Sequence, residues 1–582
     1  MKKFYFIPAA AMALALAACS SDDVLAPEGN GPQWNADGKG YVSLAINLPK
    51  EKSTAFRAND QFEDGTFEEY DVKKAVLLVF GGNSEAEATL NGGYTLTLPT
   101  FSDDPSEQIT STVELVQAID QAPANNLYAL VVLNPDGVLT VGEDHTVSIG
   151  GTPFAGTFAD LKEKTMTMAN GDVTSIAGGD NGFLMMNAPL ASKVGAASWD
   201  GTVSTLASLD GKVWSTEKEA ASNPAAEVYV ERAVAKVELT ANATTGTLGA
   251  EEGAMAWTIN GWVLNNTNTT SYLVRNTNTA DAWWGYQNGA NGFRFIGTSE
   301  VKTGAGFRTY WAQDPNYGTT QTGLYSPWYD ANPSASDLNE VGGVAYCLEN
   351  TFDVAQMMQN YTTTVVVAAT LGDGSDFFTL NGTTGTVYNK ENVDKAVKEA
   401  FLNTSAVKTA LTENADGEQT FNESDIASVT YSQTGAGEWA VTGVTYSDGF
   451  AGKFVGDEVP AALQADGAAY TAGLSNATGL KINCYAGGVA YYPVLVKHFG
   501  DDQTPWTQNG TTAYPGQDAA NNWLGRYGVL RNNWYKVNVT GISNIGYSEV
   551  PEITTPDDPT QSYIAVEINV LSWAVRSQEV EL

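Results

Sequence analysis

Two stretches of the chain share one alternation of apolar and polar positions. Residues 41–49 read YVSLAINLP, and Val42, Leu44, Ile46 and Leu48 recur at every second position. Residues 563–582 read YIAVEINVLSWAVRSQEVEL, and Ile564, Val566, Ile568 and Val570 keep the same spacing. A two-residue period puts such side chains on one face of a strand. The two runs present matching apolar faces, so one groove can hold either of them. In the second run the phase changes at Leu571: Leu571, Trp573 and Val575 take the opposite parity, and Val580 and Leu582 shift it back. A flat strand cannot bury both sets on one side, which predicts a tail of two parts separated by a bulge or bend. The part from Trp573 to Leu582 is the one expected to reach beyond its own domain.

Between these stretches the pattern predicts mostly strands. Residues 72–80 (VKKAVLLVF) and 127–133 (LYALVVL) are too continuously apolar for a one-sided sheet, so they read as central strands covered on both faces. Gly81-Gly82-Asn83 and Asn134-Pro135-Asp136-Gly137 close them as turns. Residues 113–119 read as a short helix, and 183–189 as a further apolar strand whose Met pair fills core. The Ala-, Ser- and Pro-bearing run 219–226 reads as a linker, and 228–239 (VYVERAVAKVEL) as the first strand of a second domain. Residues 257–264, 344–348, 363–370, 481–485, 489–496 and 535–539 continue that domain as strands. One helix stands out: Val393, Ala396, Val397, Ala400 and Phe401 form an apolar stripe, with Asn389 or Asn392 as cap, and it is expected to cover a sheet edge or end.

Composition supports this picture. A chain of 582 residues with 43% hydrophobic residues exceeds one core, so two or more folded domains are expected. The 58 glycines and the Asn- and Thr-rich loops favour an all-β chain. With 67 Asp and Glu against 30 Lys and Arg, the net charge of −37 repels nucleic acid, which is not an expected partner. The charge reads as the solvated surface of an extracellular protein.

The N-terminus is an export signal. Lys2 and Lys3 precede an apolar run, residues 4–17, too short for a stable span. It ends Leu16-Ala17-Ala18-Cys19, which resembles a bacterial lipobox; Cys19 would be acylated and anchor the precursor to the outer membrane. The acidic run after it, Ser20-Ser21-Asp22-Asp23, resembles the surface-export signal of Bacteroidota lipoproteins. After Leu48, Pro49 stops the strand and a polar link leads to Phe56-Arg57-Ala58. Such links are where proteases cut, and Arg57 suits a trypsin-like specificity pocket.

Catalytic chemistry finds little support. His145 and His498 are the only histidines, and neither lies in a recognisable motif. There is no nucleophile elbow, zinc-protease helix or P-loop. Asp373-Gly374-Ser375-Asp376 hints at a calcium loop, but Thr384 stands where a bidentate Glu is needed, so it reads as a turn. A carboxylate pair for glycoside hydrolysis stays open, since so many acids are present. No enzyme activity, cofactor or metal is expected. Cys347 and Cys484 sit in apolar runs and read as buried thiols, with a pairing between them still open. Trp283, Trp284 and Trp328, in long Asn- and Gly-rich stretches, are candidate aromatics for a host or bacterial surface ligand; the plain alternative is that they pack these loops.

Several runs together resemble a known family. These are the lipobox, the early strand, the arginine before Ala58-Asn59, the motif Glu231-Arg232-Ala233-Val234-Ala235-Lys236-Val237, the runs Tyr346-Cys347-Leu348-Glu349-Asn350-Thr351 and Tyr527-Gly528-Val529-Leu530-Arg531-Asn532-Asn533-Trp534-Tyr535, and the closing segment 572–582. Their order resembles the fimbrillins of Bacteroidales type V pili, within them the Mfa-type major subunits of short, or minor, fimbriae. The resemblance implies two transthyretin-like β-sandwich domains in tandem, all-β with minor α, and a polymer on the cell surface. It implies a lipid on Cys19, cleavage of the Arg57–Ala58 bond by an arginine-specific protease, and strand exchange between identical subunits head-to-tail, with anchor and tip fimbrial proteins as further partners. On this reading residues 1–18 are the signal and 19–57 the tether with its removable strand. Residues 58–227 and 228–562 are then the two sandwiches, and 563–582 the donor tail. The alternatives are an anchored lipoprotein that binds glycans or proteins, and an anchor or tip subunit.

Overall fold

In this computed structural model the described residues are 31–48, 65–98, 112–194, 201–249, 254–277, 295–297, 302–303, 306–318, 323–329, 331–383, 385–435, 437–501, 503–504, 523–554 and 564–572. The fold is all-β with minor α. Cys19, Arg57, Ala58, Trp283, Trp284, Trp573, Val575, Val580 and Leu582 lie outside the described residues. Among those described, no helix is long and apolar enough to cross a membrane.

Nine strands form the first sheet. They are β1 (Lys39–Asn47), β2 (Ala75–Gly81), β3 (Thr89–Thr95), β4 (Thr112–Asp120), β5 (Leu127–Leu133), β6 (Met185–Asn187), β7 (Ala207–Ser208), β8 (Val213–Trp214) and β9 (Ala226–Arg232). Their order is β8-β1-β9-β6-β5-β2-β3, with β4 added on β1 and β7 on β5. β2 and β5, the two continuously apolar runs, are central and antiparallel, and Leu77 to Phe80 and Val131 to Leu133 are almost fully buried. The Met pair, Met185 and Met186, fills this core as expected.

Residues 113–119, expected as a helix, are instead most of β4, paired with β1 from Lys39↔Asp120 to Asn47↔Thr112. Val113, Val116 and Ile119 suit a helical stripe, while Val113, Leu115 and Ile119 suit one face of a strand, and the open edge of β1 selects the strand. The linker expected at 219–226 is instead the end of a helix, α2 (Glu217–Ser222), and the start of β9; α1 (Phe67–Tyr70) precedes β2. The signal for α2 was in the sequence: Thr216 and Glu219 make a capping box, in which each side chain meets the other's backbone N–H.

The strand expected at 228–239 is two strands in two sheets. β9 ends at Arg232, Ala233 and Val234 carry the turn, and β10 (Ala235–Ala241) enters the next domain. The turn is fully buried; Ala233 N–H donates to Leu184 O and Asn532 N–H to Val234 O. After β10 come β11 (Thr245–Leu248), β12 (Met255–Asn265), β13 (Val344–Cys347) and β14 (Thr364–Leu371).

The chain then leaves into a third module and returns. The module holds β15 (Phe377–Leu380), α3 (Lys390–Leu402), α4 (Ser405–Glu413), β16 (Ile426–Gln433), β17 (Glu438–Tyr446), α5 (Ala468–Thr478) and β18 (Ile482–Tyr485). Asn389 caps α3, accepting from Asn392 N–H. Its stripe residues Val393, Val397 and Phe401 are buried in a core of their own with Val441, Val444, Tyr470 and Ile482. So α3 backs the separate sheet β15-β18-β17-β16 rather than an edge of the sandwich, and residues 481–485 belong to that sheet.

The return path is β19 (Val489–Leu495), β20 (Asn533–Ile542) and β21 (Ile564–Ser572). Two four-stranded sheets, β13-β10-β20-β21 and β11-β12-β14-β19, enclose a common core that includes Val237, Leu239, Trp262, Val365, Val367, Tyr492, Val537 and Val566. This is a β-sandwich.

Candidate functional site

The first candidate is the slot that holds β1. β4 pairs with its whole length on one edge, and on the other edge β8 covers Tyr41 and Val42 while β9 runs parallel to Leu44–Asn47. β1 is therefore an interior strand with both edges in use. Val42 and Leu44 are 0% exposed, Ile46 2% and Leu48 9%. Burying four aliphatic side chains contributes roughly 1.5–3 kcal/mol each before entropy costs. Removing β1 would open the middle of the sheet, leaving two rows of unpaired backbone groups and an apolar floor.

At the other end, the backbone of Ile564, Val566, Ile568 and Val570 lies in β21, antiparallel to β20 from Ile542↔Ile564 to Asn533↔Ser572. A bulge between Val539 and Gly541 interrupts the register, and Val566 is buried in the sandwich core. This part of the tail completes its own domain. β21 ends at Ser572, one residue after the phase change in the sequence.

The second candidate is the junction between the two domains, where the motif residues meet. Lys236 Nζ lies 2.6 Å from Glu69 Oε1, and the same oxygen accepts from the Tyr346 hydroxyl at 2.6 Å. Arg232 Nε donates to Glu69 O, and its backbone N–H to Asn532 Oδ1. The Lys236 ammonium sits 3.5 Å from the centre of the Trp534 ring, a close cation–π contact. Burial acts to raise the Glu69 carboxyl, but hydrogen bonds from Lys236 and Tyr346, with the Lys236 charge, outweigh it and hold it below its ordinary value.

Deeper in the junction, Arg531 Nη2 donates to Glu349 Oε1 at 2.6 Å, to Ser271 Oγ at 2.7 Å and to Tyr272 O at 2.7 Å. Residues Thr270–Tyr272 are themselves paired with Thr165–Thr167 of the first domain. Arg275 Nε is 2.9 Å from Glu231 Oε1. The resemblance motifs are thus the parts of a buried ionic joint. The sequence pointed to Glu231, Arg232, Lys236, Glu349 and Arg531 only as motif letters; Glu69, Arg275 and Asp314 carried no signal.

Asp314 accepts from the backbone N–H groups of Thr351 and Asn316 and from Asn268 Nδ2. Burial nonetheless pushes its carboxyl up to about 8 from 3.8. Between these two values the unfolded chain has lost the proton and the folded one keeps it, so stability falls as pH rises across that window and levels off above it. Asp314→Asn is expected to flatten this slope: the drop in thermal midpoint between pH 5 and pH 8 should shrink, and an unchanged drop would contradict the assignment.

The remaining candidates have structural places. Trp328 is half-buried, donates its indole N–H to Leu264 O at 2.9 Å and packs against the cluster of Val263, Val366 and Ala368. His498 is buried, with one ring nitrogen 2.7 Å from the Tyr535 hydroxyl and the other 2.8 Å from Tyr310 O. Asp373 accepts from Ser375 N–H, which is a turn. Among the described residues, no three His, Cys, Asp or Glu form a metal-binding group. Cys347 and Cys484 are buried free thiols, and burial raises them to about 12 and about 11.

Residues 483–579 match the family model of the major fimbrial subunit protein type IV, fimbrillin, C-terminal. None of the curated proteins matches the sequence. Among solved structures, a fimbrilin from Porphyromonas gingivalis is similar at 13% identity and a TM-score of 0.35, over 92% of this chain and 98% of that one. The tip fimbrial protein Mfa3 from Porphyromonas gingivalis, with a C-terminal truncation, is similar at 12% identity and 0.29, over 92% and 100%. A fimbrial assembly protein from Parabacteroides distasonis is similar at 13% identity and 0.25, over 60% and 85%. The family match lies in the C-terminal region alone and takes in β19, β20 and β21.

Proposed function

We propose that this protein is a fimbrillin, the structural subunit of a surface fimbria. It is exported as a lipoprotein through Cys19, cut after Arg57 by an arginine-specific protease, and polymerised by exchange of β1 for the tail of the next subunit. The observation that carries this reading is the setting of β1. It fills an interior slot with Val42, Leu44, Ile46 and Leu48 buried, and it is joined to the rest of the domain through residues 49–64, which contain Arg57.

An incoming strand gains both ladders of hydrogen bonds and the pockets at alternate positions. A head-to-tail contact of this kind does not close on itself, so it propagates as a filament. Cutting at Arg57 separates the lipid and β1 from the mature subunit and makes the exchange irreversible. On this proposal residues 573–582 enter the neighbour's slot while β21 stays at home.

Treatment of the purified full-length chain with an arginine-specific protease, which spares Lys50 and Lys52, is expected to give a ladder of polymers on denaturing gels and fibres under the electron microscope. Arg57→Ala is expected to remain monomeric under the same treatment. Polymers formed equally well by Arg57→Ala would sink the cleavage step. Deleting residues 573–582 while keeping β21 separates a stalk subunit, which then stops polymerising, from a distal-end subunit, which still caps a fibre.

A further inference from the structure

Where β6 stops at Asn187, the first sheet splits. β5 continues with β7 as its neighbour and β9 continues with β1, and among the described residues no ladder joins β7 to the first half of β9. The seam opens outward as a cleft of about 640 Å³. Its floor is Asn187, which accepts from Val131 N–H and donates to Ala129 O and Thr205 O, each at 2.9 Å. Those bonds satisfy the backbone groups left by the split and fix the shape of the floor.

The walls are mixed in character. Ala226, Val228 and Val230 of β9 point into the core, so Glu227 and Tyr229 face outward, and both line the cleft with Tyr128 of β5. The Tyr229 hydroxyl donates to Glu227 Oε2 at 2.9 Å. Glu85 accepts from Thr205 N–H at 2.9 Å. Lys212 donates to Pro224 O and Ala225 O and has no carboxylate partner among the described residues. The Tyr128 hydroxyl has no hydrogen-bond partner among the described residues.

We propose that this cleft is a saccharide-binding site for one or two sugar rings. An anion would meet two carboxylates on a chain of net charge −37, and a cation would meet the unneutralised Lys212. An apolar ligand would strip water from the carboxylates, the ammonium and the phenols without replacing their hydrogen bonds. A hydroxyl both donates and accepts, so a sugar donates to Glu227 and accepts from Lys212, while Glu85 is held by the Thr205 and Leu206 N–H groups and the Ser204 hydroxyl. The C–H face of a pyranose packs on a tyrosine ring, and two such rings are present. The volume lies within the range of small-ligand clefts. The site needs no polymer, so its failure and that of strand exchange are read separately.

The test is saturation-transfer NMR on the uncut full-length chain with cellobiose, lactose and N-acetyllactosamine at millimolar concentration. At least one of the three should receive saturation. Tyr128→Ala and Glu227→Gln, at a half-buried and an exposed position, should each weaken that binding by about tenfold or more, roughly 1.4 kcal/mol, with thermal midpoints unchanged. If none of the three sugars receives saturation, or both folded variants bind like the wild type, the proposal is overturned.

Discussion

Arg531→Ala is expected to destabilise the chain by about 3–5 kcal/mol, the cost of leaving one half of a buried ion pair without its partner. Arg531 is 1% exposed and Glu349 0%. The guanidinium donates to Glu349 Oε1, Ser271 Oγ, Tyr272 O and Leu273 O, so its loss leaves the carboxylate with only the long bond from Ser271 Oγ and removes a donor from three other acceptors. Ser271 and Tyr272 lie in the segment that pairs with Thr165–Thr167, so the damage falls on the joint between domains. Replacing both partners by apolar residues, Arg531→Met with Glu349→Met, should recover much of the loss, because no charge is then left buried. Urea unfolding followed by tryptophan fluorescence measures both. A loss below about 1 kcal/mol for Arg531→Ala would mean that water reaches Glu349 and the joint is not dry.

Leu44→Ala is expected to cost about 2–5 kcal/mol in the uncut chain, as other large-to-small changes in a filled core do. Leu44 is fully buried, opposite Leu115 on β4 and Ala226 on β9, so no neighbour is free to collapse into the space. After cleavage by an arginine-specific protease the same change should accelerate polymer formation by at least about tenfold, if departure of β1 limits exchange, since each 1.4 kcal/mol is worth a factor of ten. Stopped samples on denaturing gels give the rate. A destabilised variant that polymerises at the wild-type rate would place the slow step elsewhere, in the docking of the incoming tail. Ser43→Ala, on the opposite face of β1, is expected to change neither quantity by much.

Much of the local structure was written in short-range pattern. The alternation at 42–48 became β1, the apolar runs became β2 and β5, and the stripe of Val393, Val397 and Phe401 with its Asn389 cap became α3. In each case one period dominates, and burial of that face suffices to choose it. Residues 113–119 went the other way because two periods fit them equally and the deciding partner, β1, lies about seventy residues earlier. The stretch 228–239 misled for a different reason. Its apolar positions change parity, from Val228 and Val230 to Val237 and Leu239, and the break falls at Ala233 and Val234, where Asn532, some three hundred residues on, donates to the Val234 carbonyl as the chain turns between sheets.

The sequence by itself determined that this chain is built of strands, where most of them run, and that two of its segments carry the same apolar face. Those are consequences of periodicity and of the hydrophobic cost of exposing a patterned face, and both act over a few residues. Only the tertiary structure decided that β1 is an interior strand and not an edge, that β21 is held by its own sandwich, and that Glu69 pairs with Lys236 and Glu349 with Arg531 in buried positions. Strand order and charge pairing join residues tens to hundreds of positions apart, and the spacing along the chain holds no record of which will meet. The physical reason is desolvation: a buried charge must find its partner wherever the fold brings one, and only the closed core makes that partner obligatory.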